Sequence, residues 1–149
     1  MDSNGLKNGH ADQNAVHRNA TELVKQPVPE LVLVDDDSLT LEIVTWNMRK
    51  ASCIAQLFSD PEKALSHLEQ SVPQLLIVDY YMPRMTGVEF LERAGQVCSL
   101  ESSTIFLCSA ITQKQLPSEL TAILNVQQLD KNFVCDRELL NTLLLKHVG

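Results

Sequence analysis

The chain has 149 residues, of which 44% are hydrophobic and 21% charged, and its formal net charge is -7. That length suits one domain with a sizeable core, and the acidic balance excludes a general nucleic-acid binder, which needs a basic face to neutralise phosphates. No run approaches the ~20 apolar residues of a membrane span, and the amino terminus lacks the apolar stretch of a signal peptide.

Residues 1–28 are rich in Asn, Gly, His and Asp and poor in large apolar side chains. They are read as a polar, disordered tail that cannot bury enough surface to offset its ordering entropy. His10 and His17 in that tail are taken as solvated, and Pro27 and Pro29 mark the junction with a domain over 29–149. From there short apolar runs alternate with helix-like stretches. The runs are LVLV (31–34), CIAQLF (53–58), LLIV (75–78), TIFLC (104–108) and a weak VQQL (126–129). The helical stretches cover 38–51, 60–70, 87–98, about 117–124 and 136–147. Two helix starts carry a capping-box pattern, Ser59 with Glu62 and Thr86 with Glu89. Cys53, Cys98, Cys108 and Cys135 form no C-x-x-C pair, so they are expected to be structural thiols in a cytoplasmic chain.

Five strands alternating with five helices predict parallel crossovers and a doubly wound α/β sheet. The first, third and fourth runs are apolar without alternation, as expected when helices cover both faces. The fifth run is poor in apolar residues, which suits an edge.

In open parallel sheets ligands gather outside the carboxyl ends of the strands. The first run ends in Asp35, Asp36 and Asp37, the third in Asp79, the fourth in Ser109, and the fifth near Lys131. Crowded acids repel one another, and desolvation worsens the conflict. A hard divalent cation relieves it, and Mg²⁺ takes one or two carboxylates while keeping several waters. Asp79 beside such an ion has the chemistry of a carboxylate nucleophile toward a phosphoryl group. Lys131 and Ser109 are the right types to steady its oxygens. Asp37 is read as a helix-start charge favoured by the dipole.

In this order, LVLVDDDS, LLIVDYYMPRMTGVEFL, FLCSA and LDK resemble the four signatures of the response-regulator receiver domain, the CheY-like family, over about residues 30–148. The resemblance implies a flavodoxin-like (β/α)5 fold with strand order 2-1-3-4-5 and a part in two-component signal transduction. By motif position Asp79 would be the phospho-acceptor. Asp36, Asp79 and the backbone carbonyl of Tyr81 would hold Mg²⁺, with Asp35 reaching it through water. Ser109 and Lys131 would contact the phosphoryl oxygens. The donor would be a histidine kinase or phosphotransfer protein, and the chain would catalyse only its own phosphoryl transfer and dephosphorylation.

Four positions set this chain apart. Asn132 follows Lys131 where the family often has a cis proline; a cis bond before a non-proline residue costs ~3 kcal/mol, so a trans bond is expected. Gln128 stands where a switching aromatic is usual. Tyr81 and Ile111, two residues past the acceptor and the hydroxyl residue, offer little to position an attacking water, which implies slow loss of phosphate.

No output domain follows the last helix, so a lone receiver acting through phosphorylation-dependent protein binding is expected. By family analogy the downstream surface combines the fourth and fifth helices with the fifth strand. A homodimer through that face is carried beside it, although ELLNTLLLKHV is read first as a core-packing stripe. Two rival readings stand. One is a Mg²⁺-dependent phosphatase of the haloacid-dehalogenase type, for which DDDSL supplies Asp35 and Asp37 but Leu39 where that motif has threonine or valine. The other is a phosphorylation-independent adaptor, which Asn132 and Gln128 favour.

Overall fold

A computed structural model of the chain describes residues 28–109 and 125–148. Its strands are β1 (Val28–Val34), β2 (Ile54–Phe58), β3 (Pro73–Asp79), β4 (Thr104–Ser109) and β5 (Val126–Asp130). Its helices are α1 (Ser38–Asn47), α2 (Pro61–Leu68), α3 (Gly87–Val97), a single-turn α4 (Asn132–Cys135) and α5 (Arg137–His147). All strand pairs are parallel, and the sheet runs β2-β1-β3-β4-β5. This is the doubly wound order expected, with β5 at one edge.

The strands read as unbroken apolar runs because each pleat is buried on both sides. Val32, Val34, Leu76, Val78, Ile105 and Leu107 face α2 and α3, where Leu65, Leu68, Phe90 and Leu91 meet them. Leu31, Leu33, Leu75, Ile77, Phe106 and Cys108 face the other way, toward Val44 of α1 and Leu140, Leu143 and Leu144 of α5. Two filled faces fix the register, since a one-residue slip would exchange every inward side chain. The register sets Val34 beside Val78, Asp79 beside Cys108, and Ser109 beside Asp130. The polar residues that end the strands therefore lie at one level.

Several boundaries differ from the sequence reading. The expected tail over 1–28 meets β1 at one residue, Val28, and Pro29, expected at the junction, lies within the strand. Pro29 is tolerated because the β1–β3 register shifts between Val28 and Leu31, and a bulge is where a strand can spare a donor. The first helix is α-helical only to Asn47, and Met48–Lys50 tightens into a 3-10 turn. The short α4 was not expected from the pattern. The stretch at 117–124 and Ile111 lie outside the described residues.

The start of α2 corrects the capping assignment. Asp60, not Ser59, is the N-cap, and its carboxylate accepts the Glu62 N–H at 2.9 Å. Pro61 fixes the frame: with no N–H and a preset φ it belongs at the first helical position, which moves the cap to the residue before it. Glu62 is thereby freed to meet Arg93 of α3 through two bonds, of 2.6 and 2.9 Å. The second expected cap stands, since the Thr86 hydroxyl accepts the Glu89 N–H at 3.1 Å. Asp60→Ala should cost about 1 kcal/mol of stability, whereas Ser59→Ala should change it by less than about 0.5 kcal/mol. Equal losses in urea melts would contradict the cap at Asp60.

Candidate functional site

The site is built from loops that the sheet leaves little freedom to move. Asp35 follows β1 directly, and its N–H donates to the Phe58 carbonyl of β2 at 3.0 Å. Asp79 is the last residue of β3, and the next N–H, of Tyr80, donates to the Cys108 carbonyl of β4 at 2.8 Å. The Lys131 N–H donates to the Ser109 carbonyl at 3.2 Å, tying the fifth strand's end to the fourth's. Four chain segments thus meet at one rim.

One carboxylate oxygen from each of Asp35, Asp36 and Asp79 lies within 4.8 Å of the other two. Asp35 and Asp79 are nearly dry, at 1% and 6% exposure, while Asp36 is open to water. Lys131 reaches in, with Nζ 3.1 Å from Asp35 Oδ2 and 3.8 Å from Asp37 Oδ2. The sequence reading brought Asp35, Asp36, Asp79 and Lys131 to one place, and the structure brings them there. Ser109 is half-buried at the end of β4. Tyr81 is 46% exposed, its ring against that of Tyr80 at 4.8 Å. Gln128 is exposed on the edge strand opposite Leu107. The Lys131–Asn132 bond is trans, as expected.

Burial is the first reason the acids resist ionisation. It raises the Asp79 carboxyl from 3.8 to about 7, the negative charge of Asp35 adds to the rise, Lys131 opposes it, and Asp36 contributes a little more. Asp35 is also raised by burial, against the Asp37 N–H that donates to its Oδ1 at 2.9 Å and against Lys131. Asp37 behaves oppositely: the Thr40 hydroxyl, at 2.9 Å, and the Leu39 N–H, at 3.1 Å, hold it low. For Lys131 burial works against the charge, but the hydrogen bond and charge of Asp35, with Asp79 and Asp37, outweigh it and raise the amine.

The donor set suits a hard cation. Three carboxylates converge, each offering an oxygen ligand, and Asp36 leaves an open side for water. Beside Asp36 opens a cleft of about 320 Å³ walled by Ser59, Asp60, Met82, Pro83 and Arg84.

Two residues of the site carry more than the sequence reading assigned. Asp37 was read as a helix-start charge; it is the N-cap of α1, accepting the Leu39 N–H, and it also faces Lys131. Gly87 was read only as part of the motif. A Cβ placed there would fall 2.5 Å from the Asp79 carbonyl oxygen and 3.0 Å from Leu107 Cδ1, and its own N–H donates to the Tyr80 carbonyl at 2.9 Å. The glycine lets the start of α3 close over the end of β3.

Gly87→Ala should therefore destabilise the chain by about 1–3 kcal/mol, because the obstacle is backbone. A chemical melt indistinguishable from wild type would contradict that packing. The acids give a pH signature in chelator. Between 3.8 and about 7 the folded chain keeps a proton on Asp79 that the unfolded chain has lost, so stability is full at the acid end and falls as pH rises through that window. At pH 8 Asp79→Asn should be more stable than wild type by on the order of 1–3 kcal/mol. At pH 4 the two should converge. An unchanged difference across that range would show that Asp79 titrates normally.

Among known proteins, the family model described as response regulator receiver domain matches residues 31–144. Vibrio cholerae chemotaxis protein CheY4 has a similar structure, with a TM-score of 0.69 and 22% identity over 83% of this chain and 100% of that one. The receiver domain of an HD domain-containing protein from Pseudomonas fluorescens has a TM-score of 0.66 and 23% identity, covering 81% and 94%. By sequence, a protein-glutamate methylesterase/protein-glutamine glutaminase of Pseudomonas savastanoi is 28% identical over 95 residues, which are 62% of this chain and 26% of that protein. The chain spans about a quarter of the length of that relative.

Proposed function

The chain belongs to the response-regulator receiver-domain family of two-component signalling, and on that premise we propose that it is phosphorylated on Asp79 and signals by changing which protein it binds. One observation carries the reading: a nearly dry carboxylate ends a central parallel strand, with two further carboxylates and a lysine around it.

In the transfer, an Asp79 oxygen bonds to phosphorus as the P–N bond of a phosphohistidine donor breaks. The imidazole leaves with the electron pair and takes up a proton. The product is an acyl phosphate on Asp79. Asp36 and Asp79, with the Tyr81 carbonyl, would hold Mg²⁺, and Asp35 would reach it through water. Mg²⁺ supplies charge neutralisation between the acids and the phosphoryl oxygens. Lys131 and Ser109 steady those oxygens. The donor is a histidine kinase or phosphotransfer protein. The output is a downstream protein that meets the surface around β5 and α5, in the cytoplasm. The Tyr81 side chain offers little to place an attacking water, so the phosphorylated form decays slowly without a phosphatase.

The test is incorporation of phosphate from acetyl phosphate, with and without Mg²⁺, read as acid-labile phosphoprotein. Wild type should label only with the metal, and Asp79→Ala should not label. Labelling of Asp79→Ala at the wild-type level would overturn the acceptor assignment. Sustained turnover of an aryl phosphate, many equivalents per chain, would favour a phosphatase instead.

A further inference from the structure

Lys131 has two acidic partners before any phosphate arrives, and only one of them belongs to the proposed metal site. Asp35 Oδ2 lies 3.1 Å from Nζ and is buried. Asp37 Oδ2 lies 3.8 Å from the same nitrogen and is roughly half exposed. Asp37 is not loose at that distance. Its N–H donates to Asp35 Oδ1 at 2.9 Å, its Oδ1 accepts the Leu39 N–H, and its Oδ2 accepts the hydroxyl of the buried Thr40. Asp35, Lys131 and Asp37 therefore close a ring through the backbone, and Asp37 caps α1 at the same time.

We propose that Asp37 is a positioning residue that latches Lys131 in the unphosphorylated chain, so that phosphorylation must draw the lysine off it and thereby signals to the first turn of α1. The inference rests on the reading of Asp79 as acceptor and Lys131 as phosphoryl contact.

The physical case is one of competition. A single ammonium cannot keep full contact with Asp35, Asp37 and an incoming dianionic group. Asp35 is dry, so leaving it unpaired is costly. Asp37 is wet and hydrogen-bonded to neutral donors, so it can lose the lysine cheaply. The exposed partner is the one that yields. Once it does, Asp37 still holds Leu39 and Thr40, but its ring to Asp35 and Lys131 is open. Two large apolar side chains stand out on the adjoining helix: Leu39, in the first turn of α1, and Trp46 are each 60% exposed. A change at the cap thus borders residues that a partner would touch.

Two substitutions separate latch from cap. Asp37→Asn and Asp37→Ser keep a good N-cap but remove the charge that faces Lys131. In the full chain with Mg²⁺ and acetyl phosphate at low salt, each should phosphorylate roughly two- to fivefold faster than wild type, the scale of an exposed ion pair. The gain should shrink toward nothing at ~1 M salt, where the screening length is about 3 Å. It should also vanish in a Lys131→Ala background, because the latch acts only through the lysine.

A gain of the same size in Lys131→Ala would show that Asp37 merely repels the donor, and would overturn the proposal. Equal or slower labelling of both single variants would overturn it too. Far-ultraviolet melts accompany each variant; if Asp37→Asn is unfolded, Asp37→Ser decides alone. Beryllofluoride affinity, read from the fluorescence of Trp46, gives a second readout, with tighter binding expected when Asp37 is neutralised and no change contradicting the latch. Labelling that survives Asp79→Ala would instead mean that the acceptor assignment had failed, an outcome separate from any result at Asp37.

Discussion

Two carboxylates that water barely reaches, Asp35 and Asp79, end adjacent parallel strands with their oxygens close together. Like charges in such a place repel with little screening, so the pair needs a proton, an ammonium or a cation. Lys131 supplies one positive charge to this group. That is less than the acids require: burial first, and then the charge of Asp35, lifts the Asp79 carboxyl to about 7 despite the lysine. That unfilled demand for positive charge is what the proposed metal would meet.

The rest of the fold holds that conflict in place. Helices on both faces deny the central strands any slip, so β1 and β3 cannot separate their last residues. Backbone bonds from Asp35 to Phe58, Tyr80 to Cys108 and Lys131 to Ser109 pin three of the four loops to neighbouring strands. Gly87 lets the turn after Asp79 fold back onto its own carbonyl, where any side chain would intrude. The site is thus a property of sheet register first and of loop sequence second. The fold that sets this register recurs at 22% identity, with a TM-score of 0.69.

Much of this is legible in the sequence. Runs such as LLIV have no solvent side, and that pattern alone requires helices on both faces, hence parallel strands and a common rim for Asp35, Asp79 and Lys131. The strand order and the metal-ligand roles come from the resemblance, whereas the chemistry of Asp79, Ser109 and Lys131 follows from residue type at the strand ends. What the pattern could not give depends on single atoms. Ser59 and Asp60 are both good caps, and only the frame imposed by Pro61 decides between them. Pro29 looked like a boundary because a proline normally ends pairing; the bulge that accommodates it is a property of two strands. Asp37 was readable as a helix start, but its approach to Lys131, ninety-four residues later in the chain, is set by tertiary structure. Gly87 had a sequence signal in its place after Met82, Pro83 and Met85, although its reason is a steric one that only the Asp79 carbonyl reveals.

On the function proposed, the cup formed by Asp35, Asp36 and Asp79 takes a divalent cation, and a proton on Asp79 opposes it at low pH. Calorimetric titration of Mg²⁺ into the chain, at pH 8 and at pH 6, tests it most directly. The account requires one site per chain at pH 8, weaker binding with proton release at pH 6, and loss of the site in Asp36→Asn. Binding that is absent at pH 8, or that is indifferent to both pH and Asp36, would contradict it.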